Sequence, residues 1–328
     1  MGFLGFGNFN KPGPGVNKDE PPKAAPVRYF EVLLRKFWKI VQANLIFSIP
    51  ATVAVLVFLF FMLFFEPAYL SVGNFSVNVM LFFGAIPTIL LSPFLAGLTI
   101  ITRNFVREEH AFIWTDFWKS FRSNFKLFLI NGIVCYLVFV AVTVAIPYYY
   151  GSTGQSWFFY IPLGLCLMML LVFLFAQYYL PLIMVTFDLK YRHALKNALI
   201  IGIIGVGRNL LLTLGIAGIV LLLYFALSYP ITLVILILLH FVLIYGLLSY
   251  TTNFVAYPLI QKYMIDVVHN EGKENAGDSN QLASASEQEA SSDYWDELNS
   301  EDDQEDGLVY VNGRMIKKSE LKDQENMY

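Results

Sequence analysis

Long apolar segments separated by short polar ones dominate this chain. Lys and Arg are absent from residues 41–102, 127–189 and 209–261. Each gap is long enough for two bilayer crossings, because a helix needs about 20 apolar residues to span roughly 30 Å of hydrocarbon. Backbone polar groups in lipid must be satisfied internally, so the crossings are expected to be helices. The pattern predicts six transmembrane helices, at about 41–65, 79–101, 127–148, 157–180, 209–227 and 230–256.

The basic residues alternate between the loops. Loops 102–126 and 181–208 carry several Lys and Arg, whereas 66–78 and 149–156 carry none. Positively charged loops stay on the cytoplasmic side of a membrane. The distribution therefore predicts that the N-terminus and the C-terminus are both cytoplasmic.

A repeated motif stands at the predicted membrane boundary. Phe37-Trp38-Lys39 followed by Asn44 matches Phe117-Trp118-Lys119 followed by Asn124, 80 residues later, and Asn209 stands at the same place before the fifth span. The repetition predicts an all-α, polytopic membrane helix bundle. In it, the six transmembrane helices form three parallel repeated hairpins, each preceded by an amphipathic cytoplasmic lead-in helix.

The lead-in segments have apolar residues at helical spacing, with basic residues between them. We interpret them as helices that lie in the inner interface of the lipid bilayer, with aromatic rings at the acyl boundary and cations among anionic headgroups. The alternative is a docking groove for a partner's cytoplasmic loop. The same faces can serve both purposes.

Few polar groups lie within the predicted spans. The chain is 57% hydrophobic and 14% charged, against about 25% charged residues in soluble domains. Ionisable and polar residues in a membrane are the first functional candidates, and five are present: His240, Asn131, Gln177, Asn253 and Glu66. A single His without an acidic partner is more often an interhelical hydrogen-bonding residue than part of a proton path.

No constellation of catalytic or metal-binding residues is evident. Cys135 and Cys166 lie in apolar runs and are expected to be packing residues. His110 stands beside Glu108 and Glu109, a cluster better explained as solvated charge than as an active site. We therefore expect no enzyme activity, no cofactor, no metal and no nucleic-acid partner.

The two ends differ from the central domain. Residues 1–26 form a Gly-, Pro- and Phe-rich cytoplasmic segment, 27–265 the transmembrane domain, and 266–306 an acidic linker expected to be disordered. Residues 307–328 end in a short motif with Asn-Gly between apolar runs, a hairpin signal. Its candidate partner-binding residues are Leu308, Tyr310, Asn312, Gly313, Met315 and Ile316. They form either a disordered end with a local turn or a peptide that orders on a partner.

The chain resembles the YesL-like family of uncharacterised bacterial integral membrane proteins. The resemblance covers about residues 1–265 and rests on three features: the FWK motif ending at Asn44, the run from Ile86 to Leu98, and the segment from Arg107 to Lys119. These motifs contain no reactive group, so no functional residue is carried over. The resemblance implies a multi-pass protein of the bacterial cytoplasmic membrane that is accessory to carbohydrate uptake.

Three functions follow as hypotheses. The first is a non-enzymatic integral membrane protein, accessory to carbohydrate uptake, that acts through cytoplasmic contacts with transporter subunits. The second is an independent small-molecule or lipid transporter or channel. The third and least supported is a membrane enzyme. The oligomeric state stays open.

Overall fold

A computed structural model of the chain describes residues 24–72, 75–226, 230–267, 308–311 and 314–317. Most of the predicted N-terminal segment, the acidic linker and the rest of the C-terminal motif, with Asn312 and Gly313, lie outside the described residues.

The described part is mostly helical. Its elements are α1 (Ala25–Phe64), β1 (Tyr69–Val72), β2 (Phe75–Asn78), α2 (Met80–Ala85), α3 (Pro87–Val106), α4 (Ile113–Ser123), α5 (Phe125–Ser152), a 3₁₀ turn (Trp157–Phe159), α6 (Tyr160–Thr186), α7 (Tyr191–Ile204), α8 (Val206–Ala226), α9 (Pro230–Val242), α10 (Ile244–Ile260), a π-helical turn (Gln261–Ile265), β3 (Leu308–Val311) and β4 (Arg314–Lys317).

Five helical segments within the described residues are long and apolar enough to cross a membrane. They are Ala25–Phe64, Met80–Val106, Phe125–Ser152, Trp157–Thr186 and Val206–Phe225. A sixth candidate consists of two helices, Thr232–Val242 and Ile244–Ile265, bent by 58° at the break between them. Length and composition thus indicate a membrane-embedded protein with five or six spans.

The even-numbered spans occupy the centre of the bundle. Helices α3, α6 and α10 contact one another. Around them, α1 contacts α3 and α10, α5 contacts α3 and α6, and α8 contacts α6 and α10. Each peripheral helix therefore lies between two central ones.

The best-packed part of the bundle lies at one end. We call it the basic end, defined by Arg28, Arg103, Arg107, Lys119 and Arg122. The fully buried side chains concentrate there: they include Phe105, Phe117, Leu180, Ile183 and Tyr250. The remaining length of the spans exposes most of its apolar side chains, as lipid-facing helices do.

A small antiparallel hairpin lies at the opposite end. Strands β1 and β2 pair from Tyr69 with Asn78 to Val72 with Phe75. Strands β3 and β4 also pair antiparallel, with Val311 opposite Arg314.

Two helices differ in continuity from separate lead-in helices and unbroken spans. The first predicted lead-in helix is not a separate element, because α1 runs without a break through Asn44. The sixth predicted span, 230–256, is not one continuous helix, because α9 ends at Val242 and α10 begins at Ile244. The second and third lead-in segments are distinct helices, α4 and α7, which end at Ser123 and Ile204.

Candidate functional site

No Pro stands at the break between α9 and α10, and Gly246, three residues after Leu243, allows α1 to approach: an added Cβ there would lie 2.9 Å from Ile40. In an unbroken helix the N–H of Gly246 would donate to the carbonyl of residue 242, and the carbonyls of His240 and Phe241 would accept from residues 244 and 245. The side chain of Asn44 replaces these partners. Its Nδ2 donates to the carbonyls of His240 at 3.0 Å and Phe241 at 2.7 Å, and its Oδ1 accepts the N–H of Gly246 at 2.8 Å. A side chain inserted into a helical ladder is a known cause of a sharp kink.

His240 lies beside this break and is held from both ring nitrogens. Its Nε2 is 2.9 Å from the hydroxyl of Thr52 in α1, and its Nδ1 is 3.0 Å from the hydroxyl of Tyr245 in α10. Thr52 also donates to the carbonyl of Ser48 at 2.7 Å. The imidazole therefore bridges α1 and the two halves of the broken span.

Asn253 belongs to a second cluster, between α10 and α3. Its Nδ2 donates to Thr102 Oγ1 at 2.7 Å and to the Thr99 carbonyl at 3.3 Å. The hydroxyls of Thr102 and Ser249 lie 2.8 Å apart. All of these partners are protein groups in neighbouring helices, so the cluster joins two of the three central helices.

Asn131 and Gln177 form a third cluster, between α5, α6 and α7. Asn131 Nδ2 donates to Gln177 Oε1 at 3.1 Å, and the hydroxyl of Tyr191 donates to Asn131 Oδ1 at 3.1 Å. The thiol of Cys135 lies 3.6 Å from the same Gln177 oxygen. Gln177 Nε2 is buried without a hydrogen-bond partner among the described residues.

The three boundary asparagines each donate a side-chain hydrogen bond to a backbone carbonyl near a helix break. Asn44, Asn124 and Asn209 are all buried. Asn209 Nδ2 donates to the carbonyl of Gly202 at 2.9 Å, next to the break between α7 and α8, and its Oδ1 accepts from Tyr179 at 2.7 Å. Asn124 Nδ2 donates to the Ser120 carbonyl at 3.1 Å, at the break between α4 and α5. Asn44 and Asn209 thus bond carbonyls at helix breaks, whereas the Ser120 carbonyl also accepts the backbone N–H of Asn124 at 3.0 Å.

The aromatic residues of the repeated motif have unlike environments. Phe117 is fully buried against Gly97, where an added Cβ would lie 2.7 Å from the Phe117 ring. Trp118 is half-buried, and its indole nitrogen Nε1 is buried without a hydrogen-bond partner in the described part of the chain. In the first copy Phe37 is half-buried and Trp38 is exposed.

Lys39 and Lys119 lie near open cavities at the basic end. One cavity of about 650 Å³ lies between α1 and the start of α4, beside Lys39 and Trp114. A second, of about 900 Å³, lies along the exposed face of α4, beside Lys119. A third, of about 450 Å³, lies between the N-terminus of α1 and the C-terminal parts of α3 and α10. His240, Asn131 and Gln177 line none of the three.

Glu66 is exposed at the opposite end of the bundle, far from these groups in the fold. The C-terminal residues Leu308, Tyr310, Met315 and Ile316 lie in β3 and β4. The five predicted intramembrane residues are thus not gathered into one site. Four of them are distributed over three interhelical clusters.

The sequence did not single out the ionic contact that fixes the basic end. Glu108 forms ion pairs with Arg35 and, at 3.2 Å, with Arg28, both in α1. Its φ of 60° places it in the left-handed region, which costs free energy for a non-glycine residue. The hydrogen bond from Arg35 and then that from Arg28 lower the pKa of the Glu108 carboxyl, although partial burial opposes them. Glu108 therefore fastens α1 to the loop after α3.

Arg103 is a second such residue. It is buried at the C-terminus of α3, and its guanidinium lies 3.4 Å from Thr186 Oγ1 and 3.5 Å from the Val185 carbonyl, at the C-terminus of α6. A cation is stabilised at a helix C-terminus. The chain spacing gives no indication of this contact, because the two residues are 83 positions apart.

Residues 40–146, about a third of the chain, match the model of a family described as "Protein of unknown function, DUF624". The match includes Asn44, Glu108, Trp118 and Asn124, and is consistent with the resemblance to the uncharacterised YesL-like family. No curated protein and no solved structure matches the chain.

Proposed function

We propose that this membrane protein is a non-enzymatic accessory component of carbohydrate uptake, with its basic end in the cytoplasm, and that it binds a transporter subunit there. The orientation rests on the distribution of Lys and Arg. The carbohydrate system rests on the family resemblance. The contact at the basic end rests on the geometry of α1.

The length of α1 carries the proposal. Its 40 residues extend about 60 Å at 1.5 Å per residue, twice the roughly 30 Å of a bilayer's hydrocarbon core. With the inner boundary near residue 41, Leu34 lies about 10 Å and Phe30 about 16 Å beyond it. The headgroup layer is only about 5–7 Å thick on each side. This part of α1 therefore projects into the cytoplasm.

The projecting part of α1 has two apolar faces. One face packs on the bundle through Val32 and Leu33. The other face carries Val27, Phe30, Leu34 and Trp38, which are 56%, 60%, 74% and 75% exposed. Their spacing of three or four residues is the spacing of anchors in helix-in-groove recognition. Trp38, about 5 Å beyond the boundary, lies within the headgroup layer, whereas Val27, Phe30 and Leu34 lie beyond it, where an exposed apolar patch marks a protein-interaction site.

The charges beside this face indicate the chemistry of the partner. Arg28 and Arg35 share the single carboxylate of Glu108, whereas Lys36 and Lys39 form no ion pair with a described residue. The partner is therefore a transporter subunit whose cytoplasmic segment presents an apolar groove or helix face flanked by Asp or Glu.

The arrangement of the bundle fits a scaffold of three repeated hairpins. We infer that the three units are α1 with α3, α5 with α6, and α8 with α9 and α10. The last helix of each unit, α3, α6 or α10, contacts the last helices of the other two. Asn44, Asn124 and Asn209 stand at equivalent places in these units. The interhelical hydrogen bonds of the polar clusters support a structural bundle.

Site-specific photocrosslinking in cells tests the proposal. A photoreactive residue at Leu34 is expected to crosslink to a carbohydrate transporter subunit. The same residue at Leu222, also exposed but in the apolar span α8, is expected to crosslink to lipid. Absence of any protein adduct at Leu34 and at Phe30 would overturn the proposed contact. An adduct with a protein unrelated to uptake would retain the surface and overturn the carbohydrate role.

The broken sixth span favours transport as a second candidate. Discontinuous helices often form substrate and ion sites in transporters, and His240 lies directly beside this break. Purified protein in liposomes separates the two functions: sugar or lipid movement that depends on His240 supports autonomous transport. If the reconstituted protein moves neither sugar nor lipid, the result favours the accessory function.

A further inference from the structure

We propose that the exposed face of α4 binds the phosphate-bearing headgroup of an anionic phospholipid between Lys119 and Arg122. This inference does not depend on the transporter contact of α1, because it concerns another helix and another ligand.

The position of α4 places it along the membrane boundary. Phe117 packs into the notch at Gly97, and Ser120 Oγ donates to the carbonyl of Ala96 at 3.0 Å. These contacts fix α4 to α3 six or seven residues before Arg103, the first cation of that span. The next helix, α5, begins at Phe125 and enters the apolar part of the bundle. Helix α4 therefore lies beside the headgroups, with its opposite face open.

The open face combines aromatic and basic residues. Trp114, Trp118 and Arg122 follow one another at intervals of four residues, and Lys119 and Arg122 are neighbours at i, i+3. Together with Thr115 and Ser123 they line the cavity of about 900 Å³. Tryptophan is enriched at the level of the headgroups because its ring is apolar and its N–H is polar.

The two cations form no ion pair with a described residue. Asp116, three residues before Lys119, accepts the backbone N–H of Phe112 through Oδ2 at 2.8 Å and supplies one negative charge beside two positive ones. Neighbouring like charges on a helix repel each other. An anion bound between the two side chains would remove this repulsion.

The orphaned donor of Trp118 is a separate observation at the same place. Its Nε1 is buried without a hydrogen-bond partner among the described residues. Buried polar groups are nearly always partnered, so an exception calls for a group that the protein itself does not supply. A phosphate or glycerol oxygen of a headgroup held by Arg122, one turn further along, becomes such an acceptor when the Trp118 ring turns toward the open face, because Nε1 is buried in its present position. The neighbouring rings of Trp114 and Phe121, centred 5.7 and 5.4 Å from that of Trp118, provide contact for the upper acyl chain.

The occupant is a lipid rather than free phosphate because the site is flanked by aromatic rings on a helix fixed at the membrane boundary. The inner leaflet also supplies anionic headgroups at high local concentration. The signature of the site is therefore preference for anionic over zwitterionic lipid, with little effect of inorganic phosphate.

Lipid titration of the purified full chain tests the site. The protein in neutral detergent is titrated with phosphatidylglycerol, phosphatidylcholine or inorganic phosphate, and bound lipid is counted by native mass spectrometry. The variant K119Q/R122Q is expected to weaken phosphatidylglycerol binding by about 30-fold, the change expected for losing two cations near an anionic surface. W118F, which keeps an aromatic ring and removes the N–H, is expected to weaken it by about five-fold, the value of one hydrogen bond.

The matched control is R192Q/K196Q on α7. It removes the same charge from another exposed helix at the basic end, and is expected to change binding less than two-fold. Equal weakening by both double variants would overturn the site in favour of diffuse attraction, as would equal binding of phosphatidylcholine. Competition by inorganic phosphate would overturn the lipid as ligand. If K119Q/R122Q does not fold, which its elution in size-exclusion chromatography would show, the single variants K119Q and W118F are tested instead. Unchanged phosphatidylglycerol binding in both overturns the proposal.

Discussion

Replacement of Asn44 by Ala is expected to destabilise the bundle by about 2–4 kcal/mol. Three hydrogen bonds are lost, to the carbonyls of His240 and Phe241 and from the N–H of Gly246. An interhelical hydrogen bond in a membrane contributes about 0.6 kcal/mol on average, so the loss of three gives the lower limit of about 2 kcal/mol. The upper limit arises because the buried N–H of Gly246 is left unsatisfied, at about 1–3 kcal/mol, with no water to replace the amide.

Steric trapping or unfolding in denaturing detergent measures this free energy. Asn197, half-exposed on α7, provides the control. N197A removes the same amide from a side chain that forms no hydrogen bond with another described helix. N44D is expected to be at least as unstable as N44A, since its carboxylate would face two carbonyl oxygens. If N44A unfolds within 0.5 kcal/mol of N197A, the idea that Asn44 holds the broken span is refuted.

Three further outcomes are expected. G97A should lose about 1–3 kcal/mol because its methyl group would overlap the ring of Phe117, whereas G215A, with no atom within 4 Å, should unfold like the parent. The ion pairs of Glu108 lower its pKa, so their stabilisation is fully present above the ordinary Glu value and is lost as pH falls through the lowered value; E108Q should flatten an acid thermal-stability series from pH 6 to 3. T102V should lower the free energy of unfolding by about 1–2 kcal/mol in the same detergent assay, because the side-chain amide of Asn253 loses the acceptor that lies 2.7 Å away.

The repeated motif shows how far sequence similarity predicts environment. The two FWK copies are identical in type, yet Phe117 is fully buried in the notch of Gly97 while Phe37 is half-buried, and Trp118 is half-buried while Trp38 is exposed. The difference arises because α4 is separated from α5 at Asn124 and folds onto α3, whereas α1 is continuous. Helical periodicity does not distinguish these cases, since both segments have apolar residues at helical spacing with basic residues between them.

The predicted polar residues illustrate the same limit. His240, Asn131, Gln177 and Asn253 could be selected from the sequence, because polar groups in apolar segments are conspicuous. Their partners could not, since Thr52 and His240 are 188 positions apart and Asn131 and Gln177 are 46 apart. Glu108 was visible only as a member of a charge cluster. Its pairing with Arg28 and Arg35 depends on α3, which brings the chain back to the basic end and places Glu108 beside the start of α1.

The sequence by itself determined where the apolar segments lie and that they are helical, because transfer into lipid is a sum over local residues and lipid leaves the backbone no other way to satisfy its polar groups. It also located the boundary asparagines. Tertiary structure decided that the sixth span breaks at Leu243, where the side chain of Asn44 from α1 takes the place of helical partners and Gly246 leaves room for it. It likewise decided which face of α1 is left exposed, since burial depends on which helices pack against it.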